Sequence, residues 1–228
     1  MSWKDLFPKE NRYFETENGI LYCGDCLEII KGFPKENVDL VLTDPPYGIK
    51  ITKNKTVGGG SKRGKVKQIN TIDWDNKVNK QYFDLMFEIS KNQIIWGGNY
   101  YIDFLRPTRC ILVWYKRDNL PIRSFADCEI AWTSFNKNSM VFNCRWDGFI
   151  RDSKEKKVGH PTQKALEVFK WCVLEFSNKG DLILDPFIGS GTTAVACERL
   201  NRRWIGIELN EEYCEIAKRR ILASRRLV

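Results

Sequence analysis

Apolar residues recur along this chain in two alternating patterns. Short runs rich in β-branched and large apolar side chains predict strands at Ile20–Cys23, Val38–Thr43, Gln93–Trp96, Cys110–Trp114, Cys128–Thr133, Asp181–Asp185 and Trp204–Ile207. Between them, helical spacing predicts helices over Cys26–Lys31, Lys80–Ser90, Lys164–Ser177, Gly191–Leu200 and Glu211–Ala223. Strands that alternate with helices are the signature of an α/β chain, a mostly parallel sheet covered by helices. The stretch from Tyr115 to Val158 mixes aromatics, Asn and charge without a helical period. It is therefore the candidate insertion or substrate-reading region, residues 115–158. No internal repeat interrupts the pattern.

Composition narrows the class. With 228 residues and 43% apolar content, the chain can bury one substantial core, so a single domain over 1–228 with a small insertion is expected. No run approaches the roughly 18 apolar residues that span a bilayer, and Met1-Ser2-Trp3-Lys4-Asp5 has no signal-peptide pattern. A cytoplasmic location and no membrane partner are the expectation. The eight cysteines are scattered through a chain large enough to fold without staples, which favours reduced thiols. Cys23-Gly-Asp-Cys26 has the spacing of a metal pair, but there is no second such pair and only one histidine, His160, so no metal is expected.

A net charge of +8 favours a polyanionic partner, because Lys and Arg that neutralise phosphates release condensed counterions. Between Lys50 and Ile72 there are seven basic residues (Lys50, Lys53, Lys55, Lys62, Arg63, Lys65, Lys67), no acid, and glycines at 58, 59, 60 and 64. This predicts a basic flexible loop, residues 50–72, either a solvated linker or a set of phosphate contacts.

Two segments carry candidate chemistry. In Asp181-Leu-Ile-Leu-Asp-Pro-Phe-Ile-Gly-Ser-Gly-Thr-Thr193 a buried strand runs through a sharp turn into a helix. Gly189 and Gly191 allow close backbone approach, and Ser190, Thr192 and Thr193 are candidate helix caps. The Gly-Lys-Ser/Thr ending of a phosphate loop is absent, and the dinucleotide fingerprint is incomplete. About twenty residues on, the strand ending in Glu208 supplies an acid at the distance that lets dinucleotide folds bind ribose hydroxyls. Together the two pieces indicate an unphosphorylated nucleoside ligand, with Asp185 available to an ammonium group. The second segment, Asp44-Pro45-Pro46-Tyr47, leaves the end of a buried strand, where open α/β sheets place ligands. Its prolines donate no N–H, so the Pro45 carbonyl is free to face a cleft. Read alone, it is equally a rigid turn.

Tyr22-Cys-Gly-Asp-Cys26, Thr43-Asp-Pro-Pro-Tyr-Gly48, His160-Pro-Thr-Gln-Lys164, Asp185-Pro-Phe-Ile-Gly-Ser-Gly-Thr-Thr193 and Gly206-Ile-Glu208 follow one another in an order that resembles the amino-methyltransferase family of DNA-modifying enzymes. The resemblance is to its permuted β-group, in which the catalytic loop precedes the cofactor loop. It implies a Rossmann-like S-adenosylmethionine-dependent methyltransferase fold, circularly permuted, with a seven-stranded sheet. The strands feeding Asp25, Asp44, Asp185 and Glu208 would be third, fourth, first and second in the unpermuted order.

The resemblance also assigns roles. Asp185, Phe187, Gly189, Ser190, Gly191 and Thr192 would line the S-adenosylmethionine site, Glu208 would hold its ribose, and Asp25, beside Cys26, would receive its adenine amine. His160, Thr162 and Lys164 would lie beside its methionine end, with Lys164 either paired to the carboxylate or solvated in a first helical turn. Asp44, Pro45, Pro46 and Tyr47 would be catalytic. A base amine has its lone pair delocalised into the ring, so two acceptors, the Asp44 carboxylate and the Pro45 carbonyl, would turn that nitrogen toward attack while Tyr47 stacks on the flipped base. Apart from the resemblance, the charge of the basic loop and its place beside Asp44-Pro45-Pro46-Tyr47 make Lys53, Lys55, Lys62, Arg63, Lys65 and Lys67 the candidate DNA contacts. Asp at the head of the tetrapeptide resembles enzymes of adenine N6. Cytosine-N4 methylation is the alternative, and a DNA-binding module without chemistry is a third reading. Double-stranded DNA is the implied partner, with a homodimer and a cognate restriction endonuclease left open.

Overall fold

The computed structural model describes residues 2–48, 78–116, 126–146 and 163–225. Nine strands form one sheet: β1 (Arg12–Glu15), β2 (Gly19–Cys23), β3 (Val38–Thr43), β4 (Ser90–Trp96), β5 (Ile111–Tyr115), β6 (Cys128–Thr133), β7 (Met140–Asn143), β8 (Leu182–Asp185) and β9 (Arg203–Glu208). The helices are α1 (Cys26–Ile30), α2 (Lys80–Ile89), α3 (Leu166–Phe176), α4 (Thr192–Leu200) and α5 (Glu211–Arg225). Across the sheet the order is β1-β2-β9-β8-β3-β4-β6-β5-β7. Neighbours from β2 to β4 are parallel, and β6 runs antiparallel to both β4 and β5.

Alternation along the central strands builds the two cores. Leu21, Leu40, Leu42, Ile183 and Trp204 face one side with α3, α4 and α5, while Ile20, Val41, Leu182, Leu184 and Ile205 face the other with α1 and α2. A strand buried on both faces reads as a near-continuous apolar run, which is why these strands were legible. The permutation is visible directly. β8 and β9 come last in the chain, yet they lie between β2 and β3, so the strands feeding Asp25, Glu208, Asp185 and Asp44 are consecutive neighbours.

Two expectations need correction. Among the described residues the sheet has nine strands rather than seven, because β1 and β7 extend its two edges. Arg12-Tyr-Phe-Glu15 and Met140-Val-Phe-Asn143 contain no buried residue, so no buried run announced them. The helix after the glycine-rich turn has no side-chain cap. Its N-cap is Gly191, at φ +81°, while Thr193 donates to Asp185 and the Ser190 and Thr192 hydroxyls accept from Arg220. Of the stretch 115–158, the described parts contribute β6, β7 and the end of β5; the rest, like the basic loop 50–72, lies outside the described residues. Among the described residues no helix is long and apolar enough to cross a membrane.

Leu42 is fully buried at the strand end that delivers Asp44. Leu42→Ala is expected to cost about 2–5 kcal/mol by opening a cavity there. Urea denaturation should show a lower midpoint at unchanged slope.

Candidate functional site

From β8 the chain crosses through α4 to β9 on one side, whereas from β3 it passes through α2 to β4 on the other. The boundary between β8 and β3 is thus the point where the winding reverses, and ligands of open α/β sheets bind at such points beyond the strand ends. A cleft of about 740 Å³ opens there, within the range of small-molecule sites. Asp44, Pro45, Pro46 and Tyr47 line it from β3. Asp185, Phe187, Gly189, Ser190 and Thr192 line it from β8, with Glu208 from β9 and Asp25 and Cys26 from β2 and α1. His160, Thr162 and the six DNA-contact candidates Lys53, Lys55, Lys62, Arg63, Lys65 and Lys67 lie outside the described residues.

The β8 side is held by a buried carboxylate. Asp185 accepts from Thr43 Oγ1 at 2.8 Å, from the Phe187 N–H at 3.1 Å and from Thr193 Oγ1. Burial pushes its carboxyl up to about 7, against the downward pull of those three donors. Glu208 accepts from the Gly189 N–H at 3.0 Å and the Asn210 N–H at 2.8 Å, and burial raises its carboxyl above the usual range. Asp25 caps α1 through the Leu27 N–H and remains exposed, while burial pushes the neighbouring Cys26 thiol well up. The rings of Tyr82 and Phe187, 5.5 Å apart, form an aromatic corner on the same wall. Gly191 is not among the cleft-lining residues. A Cβ there would sit 3.0 Å from the Ala217 side chain of α5, and with the positive φ this accounts for glycine through helix packing.

The β3 side is a chain of alternating charges. Asp44 forms an ion pair with Lys164 Nζ at 3.0 Å and accepts from the Tyr47 hydroxyl. Lys164 donates at 2.6 Å to Glu129, which also pairs with Lys116. Burial pushes the Asp44 carboxyl up, Lys164 pulls it down, and the net direction is upward. For Glu129, burial raises the carboxyl, but Lys164 and Lys116 outweigh it and hold it at about 2. Burial depresses Lys164, yet Asp44, Tyr47 and Glu129 raise it well above the ordinary lysine value. Lys164 therefore does not stand in a first helical turn, since α3 begins at Leu166, and its ammonium is shared by Asp44 and Glu129.

The Tyr47 ring stacks on Tyr100 at 4.6 Å and 17°, and Tyr101 donates to the Pro46 carbonyl at 2.5 Å. Gly97 lets Tyr47 sit there: its φ is +67°, and a Cβ would lie 2.1 Å from the Tyr47 ring. Glu129, Lys116, Tyr82 and Tyr101 were not foreseen as site residues. For Glu129 a signal existed, a lone acid in the otherwise uncharged strand Cys128-Glu-Ile-Ala-Trp-Thr133. A charge at such a place needs a buried partner.

Known proteins align with this chain over nearly its whole length. A family model described as DNA methylase matches residues 60–219. Type II methyltransferase M2.MboI of Moraxella bovis is 29% identical over 250 residues, covering 91% of this chain and 90% of that protein. Type II methyltransferase M2.LlaDCHI of Lactococcus lactis subsp. cremoris is 26% identical over 252 residues, covering 92% and 91%. Among solved structures, M1.HpyAVI in complex with SAM has a TM-score of 0.57 at 30% identity, covering 89% of this chain and 99% of that one. The PvuII DNA methyltransferase, cytosine-N4-specific, has a TM-score of 0.66 at 19% identity, covering 94% and 89%, and shares the fold.

Asp185 gives the site a pH signature. Its carboxyl ionises near 3.8 in the unfolded chain and near 7 in the folded one, so the folded state holds the proton longer. Its contribution to stability is present in acid and is lost as pH rises from about 4 to about 7. Urea denaturation of Asp185→Asn beside the wild type should therefore show the variant gaining relative stability over that interval. A constant difference would contradict the buried, proton-retaining carboxyl.

Proposed function

The chain belongs to the DNA methylase family of N6 and N4 amino-methyltransferases, and on that premise we propose that it methylates N6 of a flipped adenine in double-stranded DNA. S-adenosylmethionine is its cofactor. The residues present fit that molecule. Glu208 and Asp25 offer acceptors along one wall, the Tyr82–Phe187 corner offers a flat apolar surface, and the Gly189 backbone stands bare between them. Glu208 now accepts from backbone N–H groups, and a ribose hydroxyl pair is the donor set its position at the end of β9 suits. When bound, the cofactor supplies a methyl group on a sulfonium sulfur, an electrophile that needs only an in-line nucleophile.

What carries the reading is that Asp44 and the Asp185–Glu208 pair line one cleft, although they come from opposite ends of the chain. In the proposed reaction the base amine takes the place of the Tyr47 hydroxyl on Asp44 and donates its second N–H as a hydrogen bond to the Pro45 carbonyl. Both N–H bonds then lie in directions that free the nitrogen lone pair. Asp44 orients the amine, and the proton released on transfer passes to this carboxylate or to water. The Tyr47 ring, held beside Gly97, supplies a face for the base. Adenine is favoured over cytosine by the Asp that heads the tetrapeptide. The two Type II relatives support a cognate endonuclease as its counterpart in a restriction system.

Unmethylated DNA incubated with enzyme and cofactor, then digested to nucleosides for mass spectrometry, should yield N6-methyldeoxyadenosine. N4-methyldeoxycytidine would move the assignment to the alternative, and DNA binding without any methylated product would leave a non-catalytic module. Asp44→Ala should lower the transfer rate by at least about a hundredfold. Calorimetric affinity for the cofactor should stay within a few-fold of wild type.

A further inference from the structure

Lys164 departs most from its expected place. Its ammonium lies 3.0 Å from Asp44 and 2.6 Å from Glu129, its side chain is only 14% exposed, and its nitrogen is 5.8 Å from the Tyr47 ring centroid. An ammonium has three N–H donors, and two of these point at carboxylates. Drawing Lys164 away to a cofactor carboxylate would leave the mostly buried Asp44 without its ammonium partner and Glu129 with Lys116 alone, and an uncompensated buried charge is strongly unfavourable. The four charged groups come from separate segments: Asp44 after β3, Lys116 after β5, Glu129 in β6 and Lys164 before α3.

We propose that Lys164 is a positioning residue for the reaction rather than a cofactor ligand: it keeps Asp44 charged and aimed at the target amine, and Glu129, by sharing the same ammonium, sets how tightly Asp44 is held. This rests on the reading of Asp44 as the amine acceptor. With Lys164 alone, Asp44 would be a weakened acceptor, its charge spent on a tight ion pair. With no Lys164, a carboxylate in this cleft would tend to take up a proton and present a hydroxyl where an acceptor is needed. Lys164 divided between two acids leaves Asp44 anionic with an oxygen available to exchange the Tyr47 hydroxyl for the amine. Lys116, pairing with the far side of Glu129, keeps that acid from competing as a free charge.

The groups that bear on Asp44 are Tyr47 on its own loop, Lys164, Glu129, and Asp185 at the end of β8. The test reads the Asp44 carboxyl directly, by carbon-13 NMR titration of the whole chain labelled at aspartate and assigned by Asp44→Asn. In Lys164→Met the midpoint should rise by about one pH unit or more, as expected when an opposite charge within a few ångströms is removed. In Glu129→Gln, where Lys164 is intact and fold loss is less of a risk, it should fall. Lys164→Arg should keep the midpoint near that of wild type.

Kinetics separate the two roles. A positioning role predicts that Lys164→Met lowers kcat about tenfold to a hundredfold, with KM for S-adenosylmethionine little changed and its acid limb moved to higher pH, and that Lys164→Arg restores part of kcat. An unmoved Asp44 midpoint in both Lys164→Met and Glu129→Gln overturns the proposal. So does a Lys164→Met enzyme whose KM for the cofactor rises while kcat holds. The carboxyl titration needs no particular substrate, so a chain that proves to methylate cytosine would sink the adenine reading and leave this one standing.

Discussion

Thr43 and Asp185 are 142 residues apart in sequence and joined by a buried hydrogen bond of 2.8 Å between their side chains. Each is the last residue of its strand, and each precedes a loop of the cleft. The bond ties the end of β3 to the end of β8 at the point where the sheet reverses its winding. A carboxylate buried there is costly unless its oxygens are satisfied, and Thr43, Thr193 and the Phe187 N–H satisfy them. The same three donors fix the turn after β8, hence the position of the bare Gly189 backbone, and the direction in which Asp44 leaves β3.

On the other side of that bond the site is built from opposed charges. Asp44, Lys164, Glu129 and Lys116 alternate in sign across the mouth of β3, β6 and β5, so each acid has at least one ammonium neighbour and each ammonium at least one acid. Such an arrangement is worth little as net stability, since the desolvation of buried ions offsets most of their attraction. Its value lies in geometry. Tyr47, fixed between the Asp44 carboxylate, the Tyr100 ring and the space left by Gly97, inherits its orientation from the same cluster. The surfaces of the cleft beside β3 thus follow from where the charges must sit.

The two halves divide the work between rigid elements. The proposed cofactor side depends on backbone groups and acids at the ends of β2, β8 and β9, which parallel pairing holds in register. The proposed amine side depends on side chains from β3, β5, β6 and the approach to α3, across the junction where β6 runs antiparallel to its neighbours. Permutation does not disturb this division, because the sheet fixes which strand ends are neighbours whatever order the chain visits them in.

The sequence by itself determined the α/β class, the central strands to within a residue or a few, and the motif residues of both loops. Strands buried on both faces must be apolar throughout, and glycines and prolines at sharp turns leave few alternatives. It also carried the resemblance that linked Asp44, Asp185 and Glu208 to one reaction. The edge strands β1 and β7 were not legible, because a strand with exposed faces has no buried run to display. Only the tertiary structure decided that Gly191 is a glycine for the sake of Ala217, that Tyr47 leans on Tyr100, and that Lys164 belongs to Asp44 and Glu129. Residues 44, 129 and 164 share no local pattern, and the spacing of charges along a chain does not say which of them will meet when it folds. Ion pairing inside a cleft is a property of the strand order, and the strand order exists only in three dimensions.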